Sequence, residues 1–219
     1  MSPNTECFSL GFDLYPMLWY LMINPPILYF TLFCIYFFEN RWSKYIPTIS
    51  ETGTDYPNTE CIAIFFVHIA IMTTYCFMIN TMYIFEKFRP KSHLFIKLTW
   101  ILVIYIGIGM IGVGLSPMNK VNRLHFFFAG SGFSVSLIVE TIHLYLSIFS
   151  SSIFCRIRRI IYLLIQYVSL AIIGLSNKFL SYRVHDTVNA LAEYFLIGFL
   201  QAFLLTYQGE IKGYDLRAF

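Results

Sequence analysis

Charge is what this sequence has least of: 15 Lys and Arg and 12 Asp and Glu among 219 residues, 12% in all, where a soluble globular domain carries roughly 25%. That shortage excludes a soluble fold. The basic residues are scattered through short connectors and the net charge is only +3, which excludes a nucleic-acid partner and leaves these charges the task of setting topology. Paired cysteines are missing too. Cys7, Cys34, Cys61, Cys76 and Cys155 form no CxxC, so neither a disulfide framework nor a zinc site is expected. Cys155 beside Arg156 and Arg158 fits either S-acylation at a membrane edge or a plain buried thiol. No GxSxG elbow, phosphate-cradling Gly loop, HExxH or selectivity-filter sequence occurs, and no strong inverted repeat, which sets aside the motif-bearing hydrolases, nucleotide-binding proteins, channels and inverted-repeat transporters.

What is present is apolar: 58% of residues are hydrophobic, with 23 Phe and 16 Tyr. A helix needs about 20 apolar residues to cross roughly 30 Å of hydrocarbon. By that measure the chain is an all-α polytopic membrane protein, a single domain of six spans at about 15–38, 61–85, 94–115, 124–149, 157–175 and 187–206. Pro25 and Pro26 should kink the first span, a defect that membrane helices tolerate. Glu6 and Asp13 precede it without Lys or Arg, so it reads as an uncleaved anchor and not as a secretory signal. Gly107, Gly109, Gly112 and Gly114 in the third span predict close helix approach.

Six spans place both termini on one side. One side collects Lys87, Arg89, Lys91, Lys97, Arg156, Arg158, Arg159, Lys212 and Arg217, the other Arg41, Lys44, Lys120, Arg123, Lys178 and Arg183. The richer set marks the cytosol, which makes both termini cytosolic. Trp42, Tyr45 and Tyr182 suit interfacial anchoring. The longest connector, 39–60, then lies on the lumenal or extracellular side. Within it Ser50, Thr52 and Thr54 can bond nearby backbone, Gly53 can take positive φ, and Pro47 and Pro57 stiffen the ends. A compact turn over the helix ends is expected.

An ionisable group inside a span is a functional candidate by default. These are His68, His125, Glu140, His143 and Glu193. Glu140 and His143 stand three apart on one helix face, where they can bond or exchange a proton, or simply satisfy each other. Glu193 reads as a lock between the last span and the 39–60 loop, with His125 as a possible partner, or as an acid. His68 could join them at a lipid head group or metal. The spacing lacks HxxxH or ExxH, so no metal and no cofactor is expected. Ser147, Ser150, Ser151 and Ser152 read as a polar loop edge.

The segment Pro47-Thr-Ile-Ser-Glu-Thr-Gly53-Thr-Asp-Tyr-Pro57 resembles the P-x-I-S-D/E-T-G-x-x-x-P signature of the damage-regulated autophagy modulators, the DRAM family. Gly112-Val-Gly114 followed by His125, and Val188-Asn-Ala-Leu-Ala-Glu-Tyr194, are similar to that family's later signatures, with Tyr194 where the autophagy branch has Trp. The likeness implies Pro47, Ile49, Ser50, Glu51, Thr52, Gly53, Pro57, His125 and Glu193 as signature positions. It also implies a non-enzymatic role in autophagy at lysosomal or other endomembranes, with membrane lipids and membrane proteins as partners. The same superfamily contains a GPI-anchor lipid-remodelling branch. On that alternative His125, Glu193 and His68 act as acid and base. A proton-coupled transporter using Glu140 and His143 is the third reading.

Overall fold

Hydrophobic runs of this length have one stable outcome in lipid, because a helix satisfies its own backbone polar groups. The computed structural model describes residues 14–38, 46–54, 56–149, 151–179 and 182–211. Every regular element among these is a helix: α1 (Leu14–Phe38), α2 (Ile49–Thr52), α3 (Asn58–Phe88), α4 (His93–Leu115), α5 (Asn122–Ser147), α6 (Ile153–Phe179), α7 (Tyr182–Leu205) and α8 (Gln208–Ile211). Six segments are long and apolar enough to cross a membrane, the last running through α7 and α8 as Asp186–Ile211. The chain is an integral multi-pass membrane protein. The first 13 residues, Arg41, Trp42, Lys44 and Tyr45 in the first connector, Asp55, Ser150, Lys212 and Arg217 lie outside the described residues, as do the side chains of Lys178, Tyr182 and Arg183.

The fifth span starts earlier than its apolar pattern predicts, at Ile153. Ser152 is the reason: its hydroxyl accepts from Cys155 N at 3.3 Å and its carbonyl from Arg156 N at 3.0 Å. This cap winds Arg156, Arg158 and Arg159 into the helix, which matters below. Pro25 and Pro26 both lie within α1, which continues through them to Phe38.

The spans form a ring: α4 packs on both α3 and α5, α5 meets α6, α6 lies along α7, and α1 closes the ring against α3 and α7. Small residues set two of these contacts. A Cβ on Gly107 or Gly114 would stand 2.6 Å from Thr74 Oγ1 or 2.7 Å from Phe66 Cβ, both on α3. One on Gly109 would stand 2.8 Å from Gly132 Cα of α5, and Gly112 is covered by the Phe128 ring. The expected glycine packing is therefore two-sided, with the outer pair, Gly107 and Gly114, serving α3 and the inner pair, Gly109 and Gly112, serving α5. Ile101, Ile104 and Ile108, spaced along the outer stripe of α4, are 52–60% exposed and face lipid. Hydroxyls inside the spans mostly bond the carbonyl four residues back, as Thr31, Thr74, Thr81 and Thr99 do. That leaves few polar atoms to line a path.

Gly109→Ala is expected to destabilise the bundle by about 1–3 kcal/mol, because the new methyl meets backbone that cannot step aside. Gly130→Ala on α5, with nothing within 4 Å of its Cβ position, should leave stability unchanged or slightly raised. Unfolding of the two variants in detergent micelles separates these outcomes.

Candidate functional site

The signature turn is organised by local bonds before it meets the bundle. Thr48 caps α2, accepting from Glu51 N at 3.0 Å, while Thr48 N donates to Glu51 Oε2 at 2.8 Å, a complete capping box. Thr52 Oγ1 bonds Ile49 O at 2.7 Å and Thr54 Oγ1 bonds Glu51 O at 3.0 Å. Buried Asn58 at the start of α3 donates to Thr52 O at 2.8 Å and Leu32 O of α1 at 3.5 Å. Asn119 from the α4–α5 connector donates to Thr54 O. The Tyr56–Pro57 bond is cis. Gly53 departs from expectation, since its φ is −101° and not positive. Glycine is required there for space: Gly53 packs directly against the Ile62 side chain, where a Cβ would overlap it.

Three separate parts of the chain converge on Ser50. Its Oγ donates to Glu193 Oε1 of α7 at 2.7 Å, and His125 Nε2 of α5 lies 3.0 Å from the same oxygen. Glu193 Oε2 accepts from Ile49 N at 3.0 Å, and Tyr194 OH donates to the Pro47 carbonyl at 3.3 Å. His125 Nδ1 is 2.7 Å from Ser116 O, so Nδ1 must carry a hydrogen. Ser50 has one proton to give. If Glu193 receives it, Nε2 donates and an imidazolium faces a carboxylate across the hydroxyl. If His125 receives it, the Glu193 carboxyl donates and both groups are neutral. Either way the assembly holds the same number of protons and carries no net charge, the condition for a polar group to sit cheaply in lipid.

A cleft of about 10 Å³ lies beside Ser50 and His125, walled by Ile62, Phe66, Val113 and Met118. That is room for about one water. His68 does not join the group. Its ring meets Tyr20 of α1 edge-on with centroids 4.9 Å apart.

At the opposite end the structure gathers residues that were read as connector or loop edge. Arg159, counted above among the basic topology markers, is 0% exposed. Its guanidinium stacks 3.6 Å over the Tyr207 ring. All five of its N–H groups are used: Nε on Thr206 Oγ1 (2.8 Å), Nη1 on Ser151 Oγ (2.7 Å) and Ser147 Oγ (3.3 Å), Nη2 on Thr206 O (3.0 Å) and Glu210 Oε1 (2.9 Å). Glu210 Oε2 accepts from Tyr83 OH of α3 at 3.3 Å. Ser147 and Ser151 are buried acceptors for Arg159, a correction to their reading as a polar loop edge.

Glu140 and His143 share a buried face but bond elsewhere. Gln166 Nε2 of α6 donates to Glu140 Oε2 at 2.7 Å, and His143 Nε2 lies 2.9 Å from Thr81 Oγ1 of α3. Glu140 Oε1 and His143 Nδ1 have no hydrogen-bond partner, so the two do not satisfy each other. Each ties α5 to a different helix. Among the described residues no group of three or more His, Cys, Asp or Glu gathers to hold a metal.

Glu210→Ala leaves a fully buried guanidinium unpaired and is expected to destabilise by about 3–5 kcal/mol. Arg159→Met is expected to be milder, because Glu210 is 17% exposed and reaches water. The double variant should fall short of the sum, read from denaturation in micelles. At the other end, Glu193→Ala should lower stability by about 1–3 kcal/mol through the lost acceptor for Ile49 N and Ser50, and by less when Ser50 is already Ala.

Compared with protein-family profiles, curated proteins and solved structures, the chain matches none.

Proposed function

We propose that this chain is a non-enzymatic six-span protein of lysosomal or related endomembranes, acting as the DRAM-type autophagy modulators it resembles do. On this reading the termini are cytosolic and the signature turn is a lumenal cap. Its partners are membrane lipids and other membrane proteins. The observation that carries the reading is the closure of the turn: Ser50, His125 and Glu193 spend their polar atoms on one another and on backbone, and Glu51 Oε2 accepts from Thr48 N, beside a cleft sized for one water. A substrate binding there would have to displace the bonds that hold the turn. The connectors between spans are too short to hold a signalling domain, so this reading assigns the work to membrane-embedded surface.

One observation favours the lipid-remodelling alternative. Ser50 Oγ, His125 and the Ser116 carbonyl stand in the order of nucleophile, base and orienting group. For that chemistry Glu193 would have to release Ser50 and the cleft to widen.

Tagged protein is expected to co-localise with a lysosomal marker, and its depletion to reduce autophagic flux, with wild-type chain restoring it. Unchanged flux with residence only in Golgi or plasma membrane would remove the autophagy reading. Under it, a lipophilic fluorophosphonate should leave the protein unlabelled. Labelling that disappears in Ser50→Ala would establish the acyl-transfer alternative instead.

A further inference from the structure

The two adjacent arginines of α6 have opposite fates. Arg159 turns inward to Glu210, whereas Arg158 is exposed, and its recorded side-chain partner is the Cys155 sulfur, 3.5 Å from Nη2. No carboxylate pairs with Arg158 among the described residues. It lines a groove of about 320 Å³ between α1, α6 and the α7–α8 corner, together with Trp19, Tyr162, Leu205, Thr206 and Gln208. That is the size of a small-ligand site, and the lining is mainly apolar with a few polar groups.

Position identifies what fills it. Trp19 lies in the second turn of α1, Arg158 in the opening turns of the Ile153–Leu175 span, and Gln208 in the final turn of the last. The groove is therefore at head-group depth, where an aromatic–arginine rim is at home. Below Trp19, Ile23 and Ile27 follow at four-residue spacing along α1, and the three are 41%, 47% and 56% exposed. They form one apolar lane running from the groove toward the bilayer centre. The lane suits an acyl chain, and the guanidinium above it suits a phosphate, which its fork contacts at two oxygens.

We propose that this groove binds one anionic phospholipid from the adjoining leaflet, with its phosphate on Arg158 and an acyl chain along Trp19, Ile23 and Ile27. The selection for net negative charge follows from neighbouring charges. Among the described residues Glu210 of α8, close in sequence to Gln208 of the groove, is committed to Arg159 and Tyr83, so it is not offered to the cation of a zwitterionic head group. Arg156, two residues before Arg158, adds positive charge to the same helix end.

The test uses full-length protein carrying Trp42→Phe and Trp100→Phe, so that Trp19 alone reports, reconstituted with brominated phosphatidylglycerol or brominated phosphatidylcholine of identical chains. Quenching is expected to reach half-maximum at about fivefold lower mole fraction of the anionic lipid, the factor one basic side chain contributes near an anionic surface. Arg158→Gln should abolish that preference and Arg158→Lys weaken it. Arg123→Gln, exposed at the start of α5, should leave it intact. An unchanged melting curve for Arg158→Gln confirms that the fold survives. Equal quenching by both lipids, or a preference that persists in Arg158→Gln, overturns the proposal. Loss of the preference on adding inorganic phosphate at matched ionic strength also overturns it, by assigning Arg158 to a soluble anion.

Discussion

A polar group inside a bilayer must find its partner within the chain, and this constraint decides where the six helices are tied. Ser50 shows it most directly. The hydroxyl belongs to a one-turn helix too short to hold itself, yet it is gripped by Glu193 from α7 and His125 from α5. The Glu193 carboxyl in turn accepts from Ile49 N, a donor that α2 leaves without an internal partner. Each group would be expensive alone. Together they remove one another's penalty and join the two halves of the ring.

The other end obeys the same rule with different chemistry. Arg159 satisfies five donors and stacks on Tyr207, drawing α3, α5, α6, α7 and α8 to one guanidinium. Between the two ties the helices are held mainly by shape, with Gly109 on Gly132 and Phe128 over Gly112. Lipid supplies no hydrophobic drive between spans, so close packing must carry the middle of the bundle. Glu140–Gln166 and His143–Thr81 are the polar exceptions there. They bind α5 to α6 and to α3, the contacts that the α4 glycines do not reach.

The spans and the small-residue packing were legible because both are written in local composition. A run of 20 apolar residues, or four glycines two or three apart, carries its meaning without knowledge of neighbours. The link from Glu193 to the loop was legible for a related reason: a carboxyl near the end of a span has few other places to find donors. Arg159 was not. Three arginines in four residues look alike in sequence, and only the Ser152 cap and the helical turn it starts decide which of them faces inward. Ser147 and Ser151 were misread with it, since a serine beside a loop is polar edge or buried acceptor according to what points at it. Gly53 shows a further limit. Its need for space comes from Ile62 in the next helix, a tertiary fact that a turn motif cannot contain.

The two ties also differ in what disturbs them. Arg159 keeps its charge under all ordinary conditions, so its five donors never lose a hydrogen, which suits a fixed structural post. The Ser50 assembly depends on one proton shared among three residues, and its two satisfied arrangements differ only in where hydrogens sit along His125, Ser50 and Glu193. Withdrawing that proton leaves either the Ser50–His125 or the Ser50–Glu193 contact without a hydrogen, and a 2.7 Å oxygen pair without one is repulsive. The bonds that hold the turn are thus complete only while that proton is present.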